Sequence, residues 1–325
     1  MNIGLKKYED SLAPEWDNFI ENNSLNGTFL HTRKFYNHNP LNKHDDNSYI
    51  FYNENKIIGL IPFNLLEQSG NRILHSYLRA TYGGFIISKY AGLEEVLEMV
   101  NLLIKEAKTI DINEIVIRNP FRIFNEQFCD ESDYAMWYHG FSIKFREMEI
   151  AIKLGNKSLL ENGYSASANR SIKKGNKHLI VTESFNFERF WKILDRNLTD
   201  KHNSKPTHDY ESFLILLKFI GSHKIKLFVA TYNTEIIAGI LVFIVNENAI
   251  HAQYIASDFT FQEYRPLNVV IDYIVKWGCD KGFKYFNLGM VNEQNGKIIN
   301  NGLARFKEGF GGHGVLRETM HLIVK

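Results

Sequence analysis

Tyr285-Phe286-Asn287-Leu288-Gly289, followed by Asn300-Asn301-Gly302-Leu303-Ala304-Arg305-Phe306-Lys307-Glu308-Gly309-Phe310-Gly311-Gly312, is the stretch from which the rest of the chain is read. The first five residues read as a short apolar strand. The polar loop Asn292-Glu293-Gln294-Asn295-Gly296 separates that strand from a short helix, which presents Arg305 and Lys307 and runs into a glycine cluster. Phe306 and Phe310 stand four apart and can share a helix face. Helix ends leave backbone groups free, and glycine allows close backbone approach, so this order of elements builds sites. An ordinary helix C-cap with a surface lysine would use the same letters, and the residues alone leave both readings open.

The 325 residues suit two domains of ordinary size, and a hydrophobic content of 44% is enough for two cores. A net charge of +1 gives no global field toward DNA, other nucleic acid or membrane, so any RNA contact must come from a local basic patch. Cys129 and Cys279, one in each half, argue against a disulfide framework and suit a reducing cytosol. No zinc spacing is present, and His31, His38 and His44 read as loop histidines. Met1 to Asp10 is polar without an apolar core, which argues against export. The longest apolar run, Ile236 to Val245, is too short to span a bilayer and reads as a buried strand.

In the first half, Pro14 and Glu15 mark a helix start, and Trp16, Phe19 and Ile20 have helical spacing. Strands are expected at Ser48–Tyr52, Lys56–Phe63, Arg72–Leu78 and Glu114–Arg118, with an amphipathic helix over Leu93–Lys108. Gly83-Gly84 permits a bulge or tight bend. Phe121 to Tyr138 reads as irregular, and Phe141 to Leu154 as one long strand or two joined ones. The second half repeats this order. Asn53-Glu54-Asn55-Lys56-Ile57-Ile58-Gly59 aligns with Asn233-Thr234-Glu235-Ile236-Ile237-Ala238-Gly239 at an offset of 180 residues. In both halves a strand–turn–strand unit is followed by a strand, a helix (Leu267–Asp280 in the second) and a closing strand (Lys284–Leu288), which argues for duplication of one α/β unit. An antiparallel meander, then a helix, then a strand is the order of the GNAT core, not of a Rossmann domain. No Gly-x-Gly-x-x-Gly follows a strand and no P-loop is present, which sets aside nicotinamide and nucleotide-hydrolysing chemistry.

Between the halves, Ser165 or Ser167 can cap a helix running to Gly175, leading into a strand over Lys177–Val181. Arg170, Lys173, Lys174 and Lys177 fall at i, i+3, i+4 and i+7 and form the one concentrated basic stripe. A solvated helix face explains them, and so does contact with phosphate on a nucleotide-linked acceptor or an RNA end. Thr199 to His208 reads as a long polar loop between helices; His202 and His208 could serve as bases, since histidine as a residue type titrates near neutral pH, but a loop histidine is ordinarily just solvated. There is no Gly-x-Ser-x-Gly elbow and no cysteine with an obvious histidine partner. The segment before the second-half helix, Phe261-Gln262-Glu263-Tyr264-Arg265-Pro266-Leu267-Asn268, lacks the glycines that would cradle a pyrophosphate, and Glu263 would repel one.

Phe306-Lys307-Glu308-Gly309-Phe310-Gly311-Gly312 resembles the closing motif of FemAB-type acyltransferases, tandem-domain relatives of the GNAT N-acetyltransferases. The serine- and lysine-rich helix that opens the second half extends the resemblance, which is best from Ser167 to Gly312. The resemblance implies an α/β (mixed α+β) chain of two tandem GNAT-like domains, each a mixed, largely antiparallel sheet flanked by helices. Their bounds are expected at 1–155 and 156–312, with 313–325 packing back on the first. It implies a cytoplasmic aminoacyltransferase of cell-wall biogenesis, moving an aminoacyl or acetyl group onto an amine of a peptidoglycan or other nucleotide- or lipid-linked envelope precursor. The donor would be aminoacyl-tRNA, through its acceptor end, or acyl-CoA, with no tightly bound cofactor and no metal. The protein would be peripheral to the membrane at most. Lys307 matches the family's lysine and is the catalytic candidate, able to steady an oxyanion as a point charge. Arg305 and Arg265 are phosphate or substrate contacts, Tyr254 and Tyr264 would orient the acceptor, and Arg79 and Tyr82 beside Gly83-Gly84 are the first-domain candidates. The rivals are an acetyl-CoA-dependent N-acetyltransferase acting on an amino sugar of surface polysaccharide, and a non-catalytic binding protein on the same fold.

Overall fold

A computed structural model of the chain describes residues 2–39, 45–155, 163–202 and 209–325. These residues fold as two compact units, one of Met1–Glu147 with Leu316–Lys325 and one of Met148–Val315.

The first unit contains β1 (Ile3–Lys7), α1 (Ala13–Asn22), the single-turn helix α2 (Arg33–Tyr36), β2 (Tyr49–Asn53), β3 (Lys56–Ile61), β4 (Asn64–Gln68), β5 (Asn71–His75), β6 (Ile86–Ile87), α3 (Leu93–Thr109), β7 (Glu114–Arg118) and α4 (Glu131–Tyr138). Two runs of strands form, β1-β2-β3-β6, and β4-β5-β7 followed by the C-terminal strand His313–Ile323. α3 starts where Glu95 accepts the Gly92 N–H, and it buries Val96, Met99, Val100, Leu103 and Ala107. Each fully buried side chain of this size stabilises by about 1.5–3 kcal/mol. The helix carries the chain from β5 to β7, which pair in parallel from Ile73↔Glu114 to His75↔Val116. Within this unit Thr319–Ile323 pair antiparallel with Glu114–Arg118.

The long strand β8 (Ser142–Lys153) starts in the first unit and ends in the second. Then come α5 (Ala166–Gly175), β9 (Ile180–Ser184), α6 (Phe187–His202), α7 (Tyr210–Ile220), β10 (Ile225–Tyr232), β11 (Glu235–Ile244), β12 (Ala249–Ser257), a 3-10 turn over Phe259–Tyr264, α8 (Pro266–Asp280), β13 (Tyr285–Met290), the short pair β14 (Asn292–Glu293) and β15 (Ile298–Ile299), α9 (Asn301–Glu308) and β16 (His313–Ile323). Strand order in the second unit is β8-β13-β12-β11-β10-β9. α8 buries Val269, Val270, Ile271, Ile274 and Val275 in the core of that unit. Trp191 of α6 stacks on Phe213 of α7 with centroids 4.2 Å apart and meets Tyr254 of β12 edge-on.

The duplication is visible in strand register, and it corrects the alignment of letters. The β2–β3 hairpin is irregular between Phe51 and Tyr52, and the β10–β11 hairpin between Ala230 and Thr231. Phe51 faces Gly59 as Ala230 faces Ala238, an offset of 179 residues, not 180. The likeness of Gly59 to Gly239 is therefore one residue out of step, which in a strand is the wrong face. At the true offset β11 corresponds to β3, Pro62-Phe63 and the first two residues of β4. Pro62 lies between the two strands and has no N–H to give a ladder, so the first unit divides where the second runs on.

Four readings of the sequence are corrected. Phe121–Tyr138 is not irregular throughout: α4 occupies its end, and the exposed Tyr134, Trp137 and Tyr138 erase the apolar stripe that would have announced a helix. The polar segment from Thr199 begins as helix, since α6 continues to His202; His208 lies outside the described residues. His31 is not a loop residue. It is fully buried, with Nδ1 at 3.0 Å from the Thr28 N–H it accepts and Nε2 at 3.1 Å from the Gly83 carbonyl, and burial lowers its pKa to about 4. His38 is also buried, and His44 lies outside the described residues. The strand after α5 is Ile180–Ser184, later than Lys177–Val181.

Candidate functional site

The site of the second unit begins where two parallel strands part. β12 and β13 pair only from Ala249↔Tyr285 to His251↔Asn287, although β12 continues to Ser257 and β13 to Met290. On its other side β13 loses register with β8: Asn287 faces Ala151, but Met290 faces Glu149. An extra residue is accommodated, as in a β-bulge, and Gly289 takes φ +82°, a conformation that costs glycine nothing. The carbonyls of Gly289 and Met290 are thereby turned to α9.

α9 answers them with Lys307. Asn300 caps the helix by accepting the Leu303 N–H, and seven residues later the last turn carries Lys307 inward, 4% exposed, while Arg305 stays outside. Lys307 Nζ donates to the Gly289 carbonyl at 2.8 Å and to the Met290 carbonyl at 2.7 Å. Burial lowers the pKa of its ammonium to about 8, and the charge of Glu149 acts in the opposite direction. An ammonium has three donors, and two are taken.

Lys307 also lines a cavity of about 620 Å³ within the same unit. Ser165, Ser167 and Ser171 supply one wall, Leu194, Asn197 and Leu198 of α6 another, and Ile255 and Ser257 the floor from β12. Asn197 fixes the end of β12 by accepting from the Ser257 N–H at 3.0 Å and donating to the Ser257 carbonyl at 2.9 Å. Arg265, Arg305 and Lys307 line the cavity, and among the described residues no carboxylate does. A concave, hydroxyl- and amide-rich space with three cations suits an anionic or carbonyl-bearing ligand.

The other sequence candidates are placed as follows. Arg265 reaches the cavity from a left-handed conformation, φ +58°, at the start of α8. Tyr254 is buried against Trp191, and Tyr264 stacks on Tyr232 with centroids 4.7 Å apart; neither lines the cavity. Arg170, Lys173 and Lys174 are exposed on α5, whose cavity side is Ser167 and Ser171. Lys177 lies beyond the Asn176 C-cap, so the four cations do not form one helical face. In the first unit, Arg79 pairs with Asp45 at 3.0 Å. Tyr82 is buried there, donating to Thr28 Oγ1 at 3.0 Å among His31, Phe121 and Phe124. Sequence reasoning missed Ser171, Asn197, Ser257, Glu149 and Asn287. Asn287 sits in the opening stretch, but a lone amide in an apolar strand carries no signal until its partner is known.

Arg265 yields a test of its own. A non-glycine left-handed residue costs roughly 1–2 kcal/mol, so Arg265→Gly is expected to stabilise the unit by about 1 kcal/mol in urea unfolding. The same change removes a cavity cation and is expected to raise KM for the donor.

Residues 167–308 match the family model of the acetyltransferase (GNAT) domain. This part of the chain is a GNAT domain. The chain is accordingly a transferase. Its fold is that of FemX (TM-score 0.70, 13% identity, covering 98% of this chain and 97% of FemX). It is similar also to a C-terminal domain assigned to a lysylphosphatidylglycerol synthetase of Agrobacterium fabrum (TM-score 0.60, 12% identity, 96% and 92% covered). A tandem GNAT protein from the clavulanic acid biosynthesis pathway aligns with a TM-score of 0.51 at 7% identity, covering 100% of this chain and 99% of the other. At these identities the likeness is one of fold. Comparison with curated proteins returned no match. Lys307 falls within the matched GNAT segment, one residue before its end.

Proposed function

We propose that the chain transfers an acyl group, and specifically an aminoacyl group, onto an amine of a cell-envelope precursor such as a peptidoglycan intermediate. The observation that carries this reading is the Lys307 ammonium, buried on two carbonyls at the edge of a cavity whose described lining residues include no carboxylate, beside the parting of β12 and β13. The donor's carbonyl lies in the parted strands, where main-chain N–H groups can receive its oxygen. The acceptor amine, deprotonated, adds to the carbonyl carbon. Negative charge collects on the oxygen, and the remaining Lys307 N–H and the backbone donors hold it. The bond to the carrier then breaks, the carrier leaves with the electron pair, and the amine loses its proton. Alignment in the cavity contributes as much as the charge.

Aminoacyl-tRNA is preferred to acyl-CoA for a stated reason. A pyrophosphate needs a run of free N–H groups at the start of α8. Pro266 has none there, and the Asn268 N–H already donates to the Arg265 carbonyl at 3.1 Å. The acceptor is read as a nucleotide- or lipid-linked precursor met in the cytoplasm. FemX and the synthetase-assigned domain share the fold, and among the described residues no helix is long and apolar enough to cross a membrane. The cavity weighs against a purely structural descendant of the fold.

Incubation with charged tRNA, acetyl-CoA and a panel of envelope precursors, read by mass spectrometry, tests the proposal. Transfer from aminoacyl-tRNA is expected; acetylation of an amino sugar together with micromolar binding of acetyl-CoA in calorimetry would replace it by the rival. The pH profile is a second test. Lys307 is charged below about pH 8 and neutral above it. If the charged form works, kcat at saturating substrate falls as pH rises through about 8; a rate that keeps climbing to pH 10 assigns the neutral amine a base's role instead.

A further inference from the structure

We infer that Glu149 and Asn287 are positioning residues that hold the Lys307 ammonium in place and keep it charged, an inference that rests on the role given to Lys307 above. Glu149 is 2% exposed on β8, and Asn287 is fully buried on β13. Asn287 Nδ2 donates to Glu149 Oε2 at 2.7 Å, and Asn287 Oδ1 accepts the Gly289 N–H at 2.9 Å. The Gly289 carbonyl is one of the two that receive Lys307. One carboxylate, one amide and the backbone of Gly289 thus run in series to the ammonium.

The two ends of this series depend on each other. A carboxylate at such burial is costly without compensation, and so is an ammonium. Glu149 is the charge that acts against burial at Lys307 and favours its protonated form. Among the described residues, the other charged groups on α9 and the cavity wall are Arg305, Glu308 and Arg265. Asn287 has a geometric task. Its Oδ1 fastens the Gly289 N–H at the point where β13 leaves register, which aims the next two carbonyls at Nζ. A leucine of similar size would fill the volume but remove the acceptor of the Gly289 N–H and the donor at Glu149 Oε2.

Glu149→Gln separates charge from shape, because the amide oxygen still accepts from Asn287. In protein labelled with ¹³C,¹⁵N-lysine, the Lys307 signals are assigned by their absence from Lys307→Met, and the Cε shift is followed with pH. The Lys307 titration midpoint is expected to move to lower pH in Glu149→Gln, and the alkaline fall of kcat to move with it, with KM for the donor unchanged. An unmoved midpoint in folded Glu149→Gln overturns the electrostatic half of the inference. Asn287→Ser tests the other half and does not need the first variant to fold. It leaves Glu149 in place but breaks the series, and is expected to lose the protected Lys307 ¹⁵Nζ signal and at least tenfold in kcat. Retention of both would overturn the positioning role. The titrations require no acyl transfer. A shifted midpoint in a protein that transfers nothing would therefore sink the functional proposal and leave this one standing.

Discussion

Lys307→Met is expected to lower kcat/KM for acyl transfer by about 10²–10³-fold, the loss typical of removing one preorganised oxyanion donor, while the protein stays folded. The stability side follows from the same side chain. Its pKa stands at about 8, against 10.5 for a free lysine, so the unfolded chain binds a proton between those values that the native chain does not. Native stability therefore rises with pH across that window, and the cost of the buried charge is fully present below it. The shift corresponds to on the order of 3 kcal/mol. Methionine removes that cost but leaves two carbonyls without their donor, at about 1–3 kcal/mol each. The two effects are similar in size. Urea unfolding at pH 7 should thus show little change, and the wild-type rise in stability toward pH 10 should be missing in the variant. Full activity in Lys307→Met would discard the site. A large loss of stability at pH 7 would mean that the lysine is kept for structure.

Trading stability for a placed charge explains which parts of the molecule were readable from the sequence. Elements that serve burial announced themselves: the stripe of Val96, Met99, Val100, Leu103 and Ala107 gave α3, and Ile236–Val245 gave most of β11. Cap chemistry also spoke, with Ser165 accepting the Ala168 N–H at 3.1 Å. α4 was silent because Tyr134, Trp137 and Tyr138 share its exposed face, opposite the buried Ala135 and Met136, so no apolar stripe stands out. The duplication was legible as an order of elements but misread by one residue in its letters, since strand partners and not identities fix register. Lys307 was legible through its motif. Its supports were not: Glu149 lies 158 residues upstream, and nothing in a linear pattern ties β8 to the bulge of β13. The basic residues on and after α5 were the opposite case, conspicuous in sequence yet absent from the cavity wall, where Ser167 and Ser171 stand.

Gly175→Ala is expected to destabilise the second unit by about 1 kcal/mol net, against the sign that helix propensity alone would give. Alanine inside a helix is favoured over glycine by about 1 kcal/mol. Gly175 closes α5, and a Cβ there would collide with Val269 Cγ2 of α8 and come within 2.8 Å of the Tyr264 carbonyl. The valine can rotate, but the carbonyl is backbone and cannot yield without moving the turn it belongs to. Overpacking of this kind costs about 1–3 kcal/mol, so packing outweighs propensity. Gly302→Ala is the control. It lies in the first turn of α9 with Asn300 Oδ1 at 3.6 Å as its nearest neighbour, and it should stabilise by about 0.5–1 kcal/mol. The consequence for function is direct, because the carbonyl under pressure precedes Arg265 and Pro266, which line the cavity. Displacing that turn moves a wall of the cavity without touching Lys307. Gly175→Ala should therefore raise KM for the donor several-fold and leave the Lys307 titration where it is. A variant as stable as wild type, with an unchanged KM, would show that α5 and the start of α8 can separate freely and that the cavity does not depend on their close approach.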